Sequence, residues 1–365
     1  AEIIVHPGDS HLHVIDSTGT PLPGWPQDLG GEADTFSRWI IGSSPRVFDL
    51  HADGTLQIAI GSTANKVHIF NTDGTTVPNW PAQTGDWVYS SITPVDLTGD
   101  NAPEIVAGSG DNQLYAWTAD QQLLPGFPVT LDGALIGTVA TADLTGNGIN
   151  DLVATTYAGS IYAIDANGKL LPGWPQHANA AIIATPLIID VDSDGALDIV
   201  AASRDNTLYA YTATGTPIPA LTLKANDWIE STPAAGDIDG DGTIELIYAT
   251  YDGTLNHVDL TTPATPATLA YPSFLGHYVA PTTDDADQDG LLDTYELETF
   301  GTLDHTGTDD TDYDGISNYA EWLAGTAPND ANSRFHLQIH CHEDPATQAT
   351  HFTLNWPTQD DRTYT

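Results

Sequence analysis

The chain has 365 residues, of which 50 are acidic and 8 basic, for a formal net charge of −42. Such a balance predicts no nucleic acid or anionic membrane as a partner, since both recruit basic surfaces, and no apolar run approaches the roughly 18 residues of a membrane-spanning helix. One cysteine, Cys341, forbids an internal disulfide, so any cross-link in this fold is not a cystine.

At the N-terminus, AEIIV (1–5) and HLHVIDSTGT (11–20) read as the second and third strands of an incomplete unit, and PLPGWP (21–26) as its fourth. An insertion of 8 residues follows within DLGGEADTFSRWIIG (28–42). From residue 43 to 278 there are five complete copies, marked by Asp49, Asp96, Asp143, Asp190 and Asp237 at a constant interval of 47. Each copy runs from a short apolar segment ending in the aspartate (TPLIID, 185–190) through an acidic loop (VDSDGALD) to a second apolar run (IVAAS). A polar turn, an alternating segment (TLYAYTA), a Gly turn and a Pro-rich stretch complete it. Four short strands with turn signals every 8 to 12 residues, repeated at this length, predict a blade. The fold class is therefore all-β, a β-propeller of four-stranded blades over residues 1–284. Pro281 precedes Asp285 as Pro186 precedes Asp190, so 279–285 is read as a first strand pairing with 1–26 to close six blades. Further blades upstream would make seven or eight. Trp25, Trp80 and Trp174, in register in the fourth segments, are expected between blades.

The acidic loops are candidate metal sites. Loop four places Asp190, Asp192, Asp194 and Asp198, and loop five Asp237, Asp239, Asp241 and Glu245, at positions 1, 3, 5 and 9. Alternate carboxylates on a tight turn with glycine at position 6 (Gly195, Gly242) suit Ca²⁺, which takes six to eight oxygens. Loop two offers Asp96, Thr98, Asp100 and Glu104, and loop three Asp143, Thr145, Asn147 and Asp151. Loop one keeps Asp49 and Asp53 but has His51 at position 3 and Gln57 at position 9. An Asx-type turn that merely reverses the chain would use some of the same residues.

A DxDxDGxxD loop leading into IVAAS or IVAGS resembles the FG-GAP and VCBS-type calcium-binding β-propeller repeats of secreted bacterial proteins and integrin ectodomains. The likeness covers about residues 1–285 and is strongest in loops four and five. It implies an extracellular or cell-surface setting and a role in adhesion or carbohydrate binding, with catalysis less common.

Residues 285–332 form a second module. Asp285, Asp287, Asp289, Leu291, Asp293 and Glu296 occupy positions 1, 3, 5, 7, 9 and 12 of an EF-hand loop pattern, and Asp310, Asp312, Asp314, Ile316, Asn318 and Glu321 repeat it 25 residues later. Each loop runs into a short amphipathic helix, giving a small α-helical calcium-loop module. It resembles thrombospondin type 3 or dockerin-like repeats, in which Ca²⁺ stands in for a hydrophobic core. Residues 333–365 turn to alternating strands, RFHLQIH and HFTLNWP, and read as the incomplete start of a β-sandwich-like domain.

Strand parity puts the acidic loops on one face of the ring and the turns between second and third strands on the other. That second face collects Arg38, Trp39, Trp87, Tyr89, Tyr157, His177, Arg204, Trp228 and Tyr251, with Asp86, Asp111 and Asp227. Flat aromatic area beside directional polar groups suits a glycan or an extracellular protein. The leading reading is a non-catalytic, calcium-binding adhesion or ligand-binding module. Alternatives are a subunit of an extracellular filament or other surface assembly, and a polysaccharide lyase or hydrolase. No catalytic residues are assigned, because no nucleophile elbow or phosphate loop occurs.

Overall fold

A computed structural model describes residues 2–7, 9–16, 18–31, 42–238, 242–265, 267–271, 273, 291, 293–313, 315–324, 327–333, 338–343 and 350–355. The chain divides into a unit of residues 3–278 and a second of 1–2 with 279–365.

The larger unit is a β-propeller. Its six antiparallel sheets follow in chain order, and in each the strands are spatial neighbours in the order of the sequence. Blade one has Glu2–Val5, His11–Asp16 and Gln27–Asp28. Blade two has Arg46–Asp49, Leu56–Ser62, Lys66–Asn71 and Ala82–Gln83. Blades three, four and five repeat this pattern from Thr93–Val95, Ala140–Ala142 and Leu187–Ile189. Blade six has Ala234–Gly236, Thr243–Ala249 and Leu255–Pro263. The predicted closing strand, 279–285, lies outside the described residues.

Both faces of each central blade are buried, and the period of two along a strand sorts side chains between two interfaces. In blade two, Ile58, Ile60 and Phe70 pack with Leu12, Val14 and Trp25 of blade one. The intervening Ala59, Val67 and Ile69 pack with Ile105, Ala107 and Trp117 of blade three. Similar clusters join three to four, four to five and five to six. This double burial explains why the second strands read as unbroken apolar runs.

The Pro-rich segment differs from expectation. Proline has no N–H to give to a ladder, and PLPGWP and its copies form a turn with cis bonds at Trp25–Pro26, Trp80–Pro81, Phe127–Pro128 and Trp174–Pro175. The fourth strand is the short pair of residues just after it, such as Gln27–Asp28 or Gln176–His177. The aromatic residue of the turn reaches the next blade, as predicted for Trp25, Trp80 and Trp174. The indole Nε1 of each donates to a carbonyl there: Trp25 to Thr72 (3.1 Å), Trp80 to Ala119 (2.9 Å), Trp174 to Ala213 (2.8 Å). Beside Trp174, a Cβ on Gly173 would lie 2.0 Å from the Thr214 carbonyl oxygen, and one on Gly215 would lie 2.5 Å from that of Gly173. Only paired glycines allow this backbone approach.

A polar seam also joins the blades. Ser91 Oγ accepts from the Ser44 amide, Thr185 Oγ1 from Thr138 and Thr232 Oγ1 from Thr185, at 3.0 to 3.1 Å. These hydroxyls fall at the 47-residue interval and tie the entries of successive first strands together.

In the second unit, helices Asp293–Thr299 and Asn318–Ala324 appear where the loops predicted them. Tyr295 packs on Trp322 and Phe300, whose ring stacks on His305. Strands Gln338–Glu343 and Thr350–Asn355 pair antiparallel. No described helix is long and apolar enough to cross a membrane.

Candidate metal loops and ligand ledge

The acidic loops of blades two to six share two hydrogen bonds. The carboxylate at position 1 accepts from the amide at position 6: Gly54 to Asp49, Asn101 to Asp96, Gly148 to Asp143, Gly195 to Asp190 and Gly242 to Asp237, all at 2.6 to 3.0 Å. The side chain at position 9 accepts from the amide at position 2: Leu50 to Gln57, Leu97 to Glu104, Leu144 to Asp151, Val191 to Asp198 and Ile238 to Glu245, again at 2.6 to 3.0 Å. Position 9 falls within the first three residues of the second strand and is buried in each of these five copies. Loop 310–321 of the second unit repeats both bonds, Gly315 to Asp310 (2.9 Å) and Thr311 to the Asn318 side chain (3.2 Å).

Loop four goes further. Carboxylate oxygens of Asp190, Asp192 and Asp194 lie within 4.8 Å of one another. Asp198 is 1% exposed, and while its Oδ2 takes the Val191 amide at 3.0 Å, its Oδ1 has no hydrogen-bond partner among the described residues. Burial, aided by the charges of Asp192, Asp194 and Asp190, pushes this carboxyl up to about 7. A buried, unsatisfied carboxylate oxygen among three more carboxylates is the donor set a hard cation neutralises. Burial likewise raises Glu104 and Asp151, with Asp100 and Asp96 adding to the first and Asp143 to the second. Thr98 Oγ1 points back to Glu104 at 3.5 Å, and Thr145 Oγ1 to Asp143 at 3.5 Å. In loop five, Asp239 and Asp241 lie outside the described residues, as do Asp285, Asp287, Asp289 and Asp314 of the second unit. Leu291, Glu296, Asn318 and Glu321 are buried, and Asp310, Asp312 and Ile316 are half-buried.

On the predicted ligand face, four of the expected residues form one row. The amide of each turn between second and third strands donates to the connection entering its blade: Tyr157 to Ala134, Arg204 to Ala181 and Tyr251 to Trp228, at 2.8 to 3.0 Å. Across blades, Arg204 Nη1 donates to the Tyr157 hydroxyl at 3.1 Å, and Arg204 Nε meets Glu230 Oε1 at 2.6 Å. The guanidinium carbon is 5.6 Å from the Tyr157 ring centre and 6.0 Å from that of Trp228, and Trp228 lies 5.9 Å from Tyr251. The rings remain open: Tyr157 is 51%, Trp228 48% and Tyr251 58% exposed. Glu230 escaped the sequence reading, since it has no counterpart at the repeat interval; only its proximity to Trp228 could have pointed to it.

Other candidates fall elsewhere. Trp87 is exposed, but Tyr89 is only 8% exposed and packs edge-on beneath Trp87 at 5.3 Å, so it supports the surface rather than presenting one. Asp111 accepts from the Gly85 amide and the Tyr115 hydroxyl, both at 2.7 Å, and is spent on structure. His177 Nδ1 lies 2.8 Å from the hydroxyl of the buried Ser160, which also bonds Asp132. Its place in the repeat is that of Lys224, beside Thr207, so the pair is a cross-strand contact. Arg38 and Trp39 lie outside the described residues.

Residues 190–248 match the FG-GAP-like repeat. They contain loop four, loop five and the ledge residues Arg204, Trp228 and Glu230. No curated protein matches the chain in sequence. Among solved structures, it is similar to BamB from Moraxella catarrhalis at a TM-score of 0.50 and 15% identity, over 71% of this chain and 69% of that one. It is also similar to BBS1N, solved in complex with ARL6DN, at a TM-score of 0.49 and 14% identity, over 72% and 76% of the two chains. At such identities the first likeness shows the propeller fold alone.

Proposed function

We propose that the protein is a calcium-stabilised, non-catalytic binding module of the extracellular space or cell surface, whose ledge takes the face of a glycan. The row Tyr157, Arg204, Trp228 and Tyr251 carries this reading. Its rings are exposed yet held in place by Arg204 and by backbone bonds to rigid blades, so a flat apolar platform stands ready without ordering cost. The Arg204–Glu230 pair supplies fixed donors and acceptors at its centre. With Arg204 already neutralised and a net charge of −42, an uncharged sugar suits the surface better than a polyanion.

Ca²⁺ would be held by Asp190, Asp192, Asp194 and Asp198, with Asp237 and Glu245 contributing in loop five. The buried Asp198 Oδ1 supports this assignment. The loops of residues 285–332 would hold further ions in place of an apolar core, as thrombospondin type 3 or dockerin-like repeats do.

A glycan array run with calcium and with chelator tests the proposal. Neutral glycans should be retained without product, and retention should fall at least tenfold in Trp228→Ala, because loss of a stacking ring costs about 1.5 kcal/mol or more. Retention unchanged by Trp228→Ala would refute the ledge, and product formation would refute the non-catalytic reading.

A further inference from the structure

The first strand of a blade is its inner edge, and in blade five that edge has a partner from the same chain. Ile188 and Tyr271 exchange both backbone bonds, at 3.0 and 2.8 Å, and the Asp190 amide donates to the Thr268 carbonyl at 2.9 Å. The equivalent amides of Asp96 and Asp143 make no such bond among the described residues. The partner segment, 260–265 and 267–271, begins at the end of the last described strand of blade six, and Ala264 is bonded to the Gly242 carbonyl at 3.0 Å. Thr268 folds this stretch on itself through bonds to the Thr265 and Pro263 carbonyls.

The same segment grips loop four a second time. Ser193, at position 4, has a left-handed backbone (φ 63°) that holds its amide on Asp190 Oδ1 at 2.8 Å. Its hydroxyl lies 2.8 Å from that of Thr262, which is fully buried, and 3.4 Å from that of Thr261. Position 1 is thus held through its backbone and position 4 through its side chain, from one strap.

The far end of the strap lies against first strands of several blades. Tyr271 is 6% exposed and packs in one cluster with Ile188 of blade five and Ala140 of blade four, while its hydroxyl lies near Thr93 of blade three and within reach of the charge of Arg46 in blade two. Four first strands converge on this one side chain. The strap therefore reaches the first strands of more than one blade.

We propose that residues 260–265 and 267–271 are a strap that positions loop four for its metal, so that metal in loop four and seating of the strap strengthen each other. Thr262 and Tyr271 are positioning residues, neither being a ligand in the 1, 3, 5, 9 set. The inference rests on the calcium reading of loop four, which the buried, unpartnered Asp198 Oδ1 supports independently of the strap. Because coupling between two sites is reciprocal, it has to appear from both directions.

The test uses the full chain. Calcium binding is followed by calorimetry in wild type, Asp192→Asn, Thr262→Val and Ser193→Ala, and amide exchange by mass spectrometry over residues 186–192 and 264–273 with calcium or chelator. Asp192→Asn identifies the loop-four step. Thr262→Val keeps the buried volume and should weaken that step about tenfold while leaving the others unchanged. Calcium should slow exchange of both wild-type segments about tenfold, an effect lost in Asp192→Asn. A loop-four step unaltered by Thr262→Val and Ser193→Ala, with strap exchange indifferent to calcium, overturns the coupling while leaving the metal site standing. Absence of any step sensitive to Asp192→Asn overturns the metal reading, and the coupling with it.

Discussion

Asp198→Asn should change sign with the metal. Without calcium, burial and three neighbouring aspartates hold the Asp198 carboxyl up to about 7. The folded chain thus binds a proton that the unfolded chain, at about 4, releases, so the Asp198 contribution to metal-free stability is greatest in acid and falls as pH rises from about 4 through 7. That displacement corresponds to about 4 kcal/mol at full ionisation. Asp192 and Asp194 are exposed, and solvent screening leaves about 2 kcal/mol. Asparagine keeps an oxygen for the Val191 amide and turns an N–H₂ toward the three carboxylates. In chelator at pH 7.5 the variant should be more stable by about 2 kcal/mol, raising the midpoint of thermal unfolding by about 4 to 8 °C. With calcium at a hundred times its dissociation constant, wild type gains about 2.7 kcal/mol that the variant lacks, and the order inverts. Tryptophan fluorescence during thermal unfolding reads both arms. Equal destabilisation with and without calcium would show that Asp198 is an ordinary buried polar group and the reasoning wrong.

Trp174→Phe should lose only the indole bond to Ala213, about 1 kcal/mol in urea unfolding, since Phe127 occupies the same place in blade three; Trp174→Ala should lose about 3 to 5 kcal/mol. Gly173→Ala, with φ 89° and a Cβ directed at the Thr214 carbonyl, should cost more than about 2 kcal/mol by the same measurement. Burial, with Lys66 adding, lowers His68 to about 4, so its neutral form contributes about 3 kcal/mol above pH 6.5 that is lost as pH falls toward 4. His68→Gln should therefore remove most of the difference between urea midpoints at pH 7 and pH 4.5; a variant as acid-sensitive as wild type would contradict it.

The fold was legible because its period is carried by residues under mechanical constraint. The fourth segments of blades one to four carry an aromatic ring packed between blades, and the described entries to first strands carry a hydroxyl, so Trp25, Trp80 and Trp174 and the series Ser44, Ser91, Thr138, Thr185 and Thr232 recur at fixed places. The fourth strand was misplaced because its apolar, Pro-rich neighbour carries the stronger pattern while the paired residues are only two long. On the face opposite the acidic loops, the placement of Arg204, Trp228 and Tyr251 was legible by strand parity, but burial of Tyr89 was not. Depth at a blade junction depends on the neighbouring connection, which periodicity does not specify. The strap was invisible for a related reason: Thr268 and Tyr271 match no copy of the repeat, and their blade-five partners Asp190 and Ile188 are more than 70 residues away.

The acidic loops show why a repeated motif overstates repeated chemistry. On the calcium reading proposed above, position 9 has two separable tasks: receiving the amide of position 2, which any side-chain oxygen performs, and offering a charged oxygen to a metal. Loop one keeps only the first, with Gln57 Oε1 taking the Leu50 amide at 2.8 Å from a buried site. Gln57→Glu restores the second without disturbing the turn, because Glu104 in loop two makes the same bond to Leu97 at 2.8 Å. Burial raises the Glu104 carboxyl, and a glutamate at 57 enters the same surroundings beside Asp49 and Asp53. In chelator the variant should lose about 1 to 2 kcal/mol as an uncompensated buried carboxylate. Calcium should return most of that loss and add one equivalent to the calorimetric stoichiometry, since Asp49 and Asp53 already stand at positions 1 and 5. A variant that stays destabilised in saturating calcium would mean that the shared pair of hydrogen bonds is a turn device alone, and that loop four binds metal by virtue of Asp192 and its strap rather than its scaffold.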